Sequence, residues 1–132
     1  MYFLDTDICI YLIKEKSKQL LEKLERHSLG ECVLSSITLS ELQYGVAKSQ
    51  KQQQNALALE RFLIPLEVMP FDSQAGIVLG NLRAQLEKKG NIIGIFDMMI
   101  AAHALSCDAT LVTNNMREFS RVKNLSLENW SK

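Results

Sequence analysis

An α/β fold built on a parallel sheet is what this chain predicts, on three observations. Its strand candidates are short and almost wholly apolar rather than alternating, as strands buried on both faces are. Helical patterns separate them, so the strands must be joined by right-handed crossovers that cover both faces of the sheet. Carboxylates stand where the apolar segments break: Asp5 after Met1–Leu4, Glu41 in the helical pattern after Cys32–Leu34, and Asp97 ahead of Met98–Ala102. Acids placed at strand ends and helix starts can converge on one crevice of an open sheet and hold a divalent metal there. That placement points to phosphodiester chemistry.

Residues 1–4 make the first strand, ended by Asp5-Thr6-Asp7. Ile8–Ile13 is a short helix and Ser17–His27 a second, with Leu20, Leu21 and Leu24 on one face. Cys32–Leu34 is the second strand. Ser35, Ser36 and Thr38 offer N-caps to a helix carrying Leu39, Leu42 and Val46. There Thr38-Leu39-Ser40-Glu41 has the pattern of a capping box, with Glu41 reaching back to the Thr38 amide, a role that can coexist with one at the sheet edge. Ser49–Gln54 is polar and reads as an exposed connection or helix start. Ala56–Leu63 is helical and closed by Pro65, Leu66–Met69 is a strand ended by Pro70, and Ser73–Lys89 is a long amphipathic helix ended by Gly90. Asp97–Ser106 is the next helix, in which Asp97 is either an N-cap or a ligand. Thr110–Val112 is a strand whose C-terminal end falls on the same sheet edge as Asp5. Thr113-Asn114-Asn115 is either an Asx-type turn into a short helix or a set of polar groups on that edge, with Glu118 as a fourth acid.

At 132 residues without a repeat or low-complexity tract, the chain is expected to be one domain, residues 1–132, with enough core to need no staples. Fifteen basic and fifteen acidic side chains cancel, which excludes a uniformly basic nucleic-acid surface but not a basic rim around an acidic pocket. Arg117 and Arg121, near Glu118, are the best phosphate contacts, ahead of Arg83, Lys88, Lys89 and Lys123. Cys9, Cys32 and Cys107 form no CxxC or zinc spacing and read as small buried hydrophobes of a reducing compartment. Asp5 and Asp7 interrupt any leader pattern and no apolar run approaches a membrane span, so a cytoplasmic protein is expected, with no membrane partner. Neither His27 nor His103 falls in a Ser/His/Asp or HxxxH arrangement, and no glycine-rich phosphate loop occurs.

Four stretches and an ending carry a resemblance. They are Tyr2-Phe3-Leu4-Asp5-Thr6-Asp7, Ser35 through Gly45, Ile93 through Ala104, Leu111 through Phe119, and Leu127-Glu128-Asn129-Trp130. In this order, over essentially the whole chain, they resemble the PIN-domain ribonucleases, specifically the VapC toxins of bacterial type II toxin–antitoxin modules. The resemblance implies a PIN-like fold with a four- or five-stranded parallel sheet flanked by helices. It implies an endoribonuclease with Mg²⁺ or Mn²⁺ in an acidic pocket, blocked by a VapB antitoxin whose C-terminal tail lies across that pocket. Asp5 and Asp97 fall on the metal-binding aspartates and Glu41 on the middle acid. The fourth acidic position falls here on Asn115, and Glu118 supplies the charge instead. Asp7 stands where the family usually has asparagine, adding negative charge, while Thr113 and Asn115 belong to the pocket's second rank. Metal-assisted hydrolysis would then need no protein nucleophile, with Glu41 or Glu118 orienting the attacking water. Structured RNA, with the anticodon arm of initiator tRNA as the leading guess, is the implied substrate. Inhibition of translation follows, with DNA contacted only indirectly through the antitoxin.

Two rivals stand beside this reading. Asp5-Thr6-Asp7 and Val112-Thr113-Asn114 are also similar to motifs of haloacid-dehalogenase phosphatases, but too few residues follow Asn114 to supply that class's acidic pair. A PIN-like nucleic-acid-binding module of weak activity is the other, suggested by Asn115. A homodimer is expected from the family and from apolar positions such as Leu57, Leu59 and Phe62.

Overall fold

The structure, a computed structural model, describes residues 1–27 and 30–131. Five parallel strands form one sheet in the order β3-β2-β1-β4-β5: β1 is Tyr2–Leu4, β2 Cys32–Ser35, β3 Glu67–Met69, β4 Thr110–Val112 and β5 Ser126–Glu128. The helices are α1 (Thr6–Ile13), α2 (Lys18–Glu25), α3 (Ser36–Ala47), α4 (Gln52–Leu63), α5 (Ser73–Lys89), α6 (Ile95–Ser106) and α7 (Met116–Phe119). The expected α/β architecture is borne out, and with five strands.

Strand residues divide between two cores because successive side chains point to opposite faces. Phe3, Val33 and Leu111 meet Leu82, Leu86, Ile100, Ala101 and Phe119 on one face, under α5 and α6. Leu4, Cys32, Leu34 and Val112 meet Ile8, Leu12, Leu20, Leu42, Leu59 and Trp130 on the other. Strands buried on both faces need no polar alternation, hence the continuous apolar runs. Trp130, 1% exposed, lies parallel to the His27 ring with centroids 4.6 Å apart, and the Tyr2 ring tilts against both. The segment after β5 is thereby fastened across the second core.

Helix starts differ most from expectation. Of the offered caps of α3 it is Ser35 that serves, so the helix begins at Ser36: the Ser35 side chain ends β2 and accepts the Ile37 amide at 3.1 Å. The Thr38-to-Glu41 capping box is therefore not formed: Thr38 is buried inside the first turns, and Glu41 is free to face another element. Helix α6 begins at Ile95, with Gly94 at the N-cap, so Asp97 is a first-turn residue and not the cap. Exposed Ile95 and Phe96 break the inward-facing pattern and hide this start in the sequence. Helix α4 opens at Gln52, one turn before Ala56. Asn115 does cap a short helix, its Oδ1 accepting the Glu118 amide at 3.4 Å. Of the apolar positions read as dimer surface, Leu59 is core and Phe62 packs against it, leaving Leu57 exposed. Cys9 and Cys32 are buried as expected, whereas Cys107 is half-buried; all three are free.

Candidate active site

Asp5 and Thr113 meet because β1 and β4 are neighbours in register, Leu4 opposite Val112, so each strand's next residue emerges at the same C-terminal edge. This is where strand order switches direction and where open parallel sheets place their sites. The Asp5 amide donates to the Val112 carbonyl at 2.9 Å. Its carboxylate caps α1 by accepting the Thr6 amide at 2.8 Å on Oδ1, and accepts the Thr113 hydroxyl at 2.8 Å on Oδ2. One oxygen of Asp5 thus caps α1 and the other is tied to β4's end. Thr6 turns its own hydroxyl to Glu41 Oε1 at 2.7 Å, which joins α1 to α3.

Asp97 enters from α6 and feels the charges of Asp5, Glu118, Glu41 and Asp7. Burial is the first cause that lifts its pKa to about 7, and those four carboxylates add to it. Asp5, 3% exposed, is raised to about 6, again chiefly by burial, against the opposing hydrogen bonds from Thr113 and Thr6, with Asp7 and Glu41 adding repulsion. Asp7 is exposed at the crevice mouth and acts on both aspartates in the sense expected of an added negative charge.

Glu118 behaves differently. Its Oε2 accepts from the Asn115 side-chain amide at 2.9 Å and its Oε1 from the Gly94 backbone amide at 3.1 Å. These bonds, with Arg121 nearby, hold its carboxyl below the usual range. Arg121 donates to the Ile92 carbonyl at 3.1 Å, while Arg117 is exposed on α7. The five acids named from the sequence thus belong to one electrostatic neighbourhood, and Thr113 and Asn115 tie it together.

The donor set is entirely oxygen, which suits a hard cation such as Mg²⁺. Among the described residues no three His, Cys, Asp or Glu groups are drawn tightly enough to enclose a metal by themselves. Mg²⁺ does not need such a cage, since it keeps several waters and takes one or two carboxylates. Two desolvated, mutually repelling aspartates are what a divalent cation would relieve, so the residues fit the group.

Two features were missed in the sequence. A cleft of about 550 Å³ leads away from Thr6, Asp7 and Glu41, floored by Ile10, Ile13, Leu42, Val46 and Leu59, with Lys14, Tyr44 and Lys48 along its rim. The floor residues do recur at helical spacing, but their convergence from α1, α3 and α4 is a tertiary fact. Also unforeseen is a serine–histidine pair: His103 Nδ1 lies 2.8 Å from Ser35 Oγ. The ring is wedged between Phe3 and Phe71, is 2% exposed, and burial lowers its pKa. Enclosed in this way, the pair joins α6 to the end of β2 as part of the packing.

The PIN domain family matches residues 2–125. Ribonuclease VapC2 of Rickettsia felis is 47% identical over 133 residues, covering 100% of this chain and 99% of that protein. The tRNA(fMet)-specific endonuclease VapC of Salmonella typhimurium is 43% identical over 129 residues, covering 98% and 97%. The chain belongs to the PIN-domain family, in its VapC branch. In the crystal structure of VapBC2 from Rickettsia felis bound to a DNA fragment from their promoter, a chain 47% identical superposes with a TM-score of 0.92, with 98% of each chain covered. A chain of the DNA-bound VapBC from Salmonella typhimurium, 42% identical, gives 0.93, covering 98% and 97%. This membership removes the phosphatase alternative.

Proposed function

We propose that this chain is a metal-dependent endoribonuclease toxin, held silent by a VapB-type antitoxin. The observation that carries the reading is the convergence of buried Asp5 and half-buried Asp97, raised to about 6 and about 7, among further carboxylates, with no cation side chain bonded to either among the described residues. Asp5 and Asp97 would hold Mg²⁺, or Mn²⁺ in its place. A cation so held would polarise the scissile phosphate and lower the pKa of a bound water. The chain's own residues do the rest. Thr113 and Thr6 hold the Asp5 carboxylate in one orientation, and Thr6 also takes Glu41 Oε1, leaving Oε2 to orient the attacking water. Arg117, exposed on α7, contacts the RNA backbone, whereas Arg121 is partly occupied by the Ile92 carbonyl.

The apolar cleft beside the acids suits an amphipathic peptide better than it suits RNA, and the antitoxin's C-terminal tail is its occupant. Binding there covers the route to Asp5 and Glu41. Through such an antitoxin the complex reaches DNA indirectly, in keeping with the two related assemblies, both solved with DNA bound. Unpaired RNA suits the crevice best, because splayed bases expose the phosphate between them. The name of the Salmonella typhimurium relative makes the anticodon arm of initiator tRNA the substrate to try first. Three free cysteines and no described helix long and apolar enough to cross a membrane accord with a cytoplasmic protein. Exposed Leu57, Ile92, Ile95 and Phe96 offer a homodimer contact; a single monomeric species in sedimentation would exclude it.

The test is RNA cleavage in Mg²⁺ by the chain and by Asp5→Ala. The variant should lose roughly a hundredfold or more, as several kcal/mol of metal-borne stabilisation disappears. Equal cleavage by the variant would mean another site or a contaminating nuclease, and a parent that binds RNA without cutting it would leave a binding module.

A further inference from the structure

We propose that Asn115 and Glu118 form a latch that positions Asp97, so that Glu118 acts through the Gly94 amide and not as an acid on the metal. The proposal rests on the nuclease reading for its functional meaning but not for its geometry. Gly94 N–H donates to Glu118 Oε1 at 3.1 Å, and Asn115 Nδ2–H donates to Glu118 Oε2 at 2.9 Å. Gly94 is the N-cap of α6, and its carbonyl accepts the Met98 amide at 2.9 Å, so its peptide is gripped on both sides. Asp97 lies in the turn that Gly94 opens, and a Cβ at Gly94 would be 3.9 Å from Asp97 Oδ2. Arg121, on the turn after α7, fastens the Ile92 carbonyl of the same approach. Fixing residues 92–94 against α7 therefore fixes where α6 begins and where Asp97 stands.

The latch continues to the other aspartate. Asn115 N–H donates to Thr113 Oγ1 at 2.9 Å, and the same hydroxyl donates to Asp5 Oδ2 at 2.8 Å. Each step of the series Gly94, Glu118, Asn115, Thr113, Asp5 is a donor meeting an acceptor within 3.1 Å. Asn115 is then explained as the residue type the position requires. Its side-chain amide donates to the Glu118 carboxylate while its oxygen accepts the Glu118 backbone amide, which an ionised carboxylate, an acceptor only, cannot do. An aspartate here would set two carboxylates face to face.

Asn115→Asp and the exchange pair Asn115→Asp/Glu118→Gln separate this role from direct participation. In the single variant, Gly94 amide hydrogen exchange, measured on the protein alone, should quicken about tenfold and RNA cleavage in Mg²⁺ should fall about tenfold. In the pair, the side-chain amide introduced at position 118 can donate to the carboxylate introduced at position 115 while its oxygen still accepts from Gly94. Both readouts should then return to within about threefold of the parent. A single variant that cleaves as well as the parent, or better, would make position 115 a fourth acid and overturn the latch. So would Gly94 exchange unmoved by the single variant, or a pair whose Gly94 protection returns while cleavage stays lost. If no protein cleaves RNA, the nuclease reading fails, and the exchange data alone decide the latch.

Discussion

Ser35 ends β2 and Asp5 follows β1, its neighbour in the sheet, and both are buried, at 1% and 3% exposure. Ser35 meets burial with neutral partners: its hydroxyl serves His103 and accepts the Ile37 amide. Asp5 meets burial with hydrogen bonds from Thr6 and Thr113 that are too weak to offset it, and its charged neighbours are other acids. One polar cluster is closed upon itself, and the other is satisfied in hydrogen bonds but not in charge. Proximity of serine and histidine marks scaffold here, while repulsion among carboxylates is what singles out a candidate site. The residue types alone would have suggested the reverse.

A change of pH strains this contrast hardest. Folded and metal-free, Asp5 keeps its proton until about pH 6, while unfolded it releases it near 3.8. The folded state therefore binds more protons in that window, and its stability is full below it and falls as pH rises through it. Compared with Asp5→Asn, which has no such proton, the parent should lose stability of the order of 3 kcal/mol between pH 4 and 7 in urea titrations. Asp97 acts in the same direction up to about pH 7, with a smaller effect because solvent reaches it. Mg²⁺ should reverse the trend, raising the melting temperature more at pH 8 than at pH 5. A parent and variant whose difference is flat across that range would put the two clusters on the same footing.

Ser35→Ala tests the closed cluster. It strips His103 of its partner and α3 of its cap, at a cost of about 1–3 kcal/mol in chemical denaturation. Cleavage per folded molecule should stay as in the parent, and a specific activity that falls with stability would draw His103 into the chemistry. Thr113→Val is the finest probe. Losing the hydroxyl removes a bond that lowers the Asp5 pKa, so the acid limb of the cleavage–pH profile should move upward by somewhat under one pH unit and activity at pH 7 should drop by about twofold. An unmoved limb would show that Asp5 is not the group being titrated.

Much of this is legible in the chain. Uninterrupted apolar strands and helical spacing specify a two-sided parallel sheet, and acids at strand ends specify which edge matters. Asp5, Glu41, Asp97 and Glu118 all emerge this way or through the resemblance. What stays hidden depends on partners distant in sequence. Glu41 matches a capping box within its own helix, and only Thr6, 35 residues earlier, reveals that it faces elsewhere. Gly94 and Glu118 are 24 apart, and Ser35 and His103 are 68 apart, so neither pairing has a local signal. β5 carries no strand signal either, because Ser126-Leu127-Glu128 is one apolar residue between two polar ones at the sheet's rim.

The bond between Thr113 and Asp5 spans 108 residues, and the Thr113 amide donates in turn to the Glu128 carbonyl of β5. On the ribosome the first aspartate emerges early and waits for nearly everything else to be made. A message cut short before codon 113 yields a polypeptide that lacks the hydroxyl holding Asp5, and one cut short before codon 126 lacks the rail on which Thr113 rests. Abortive translation therefore releases polypeptides that lack the contacts fixing Asp5, and that set of contacts is complete only once synthesis is all but finished.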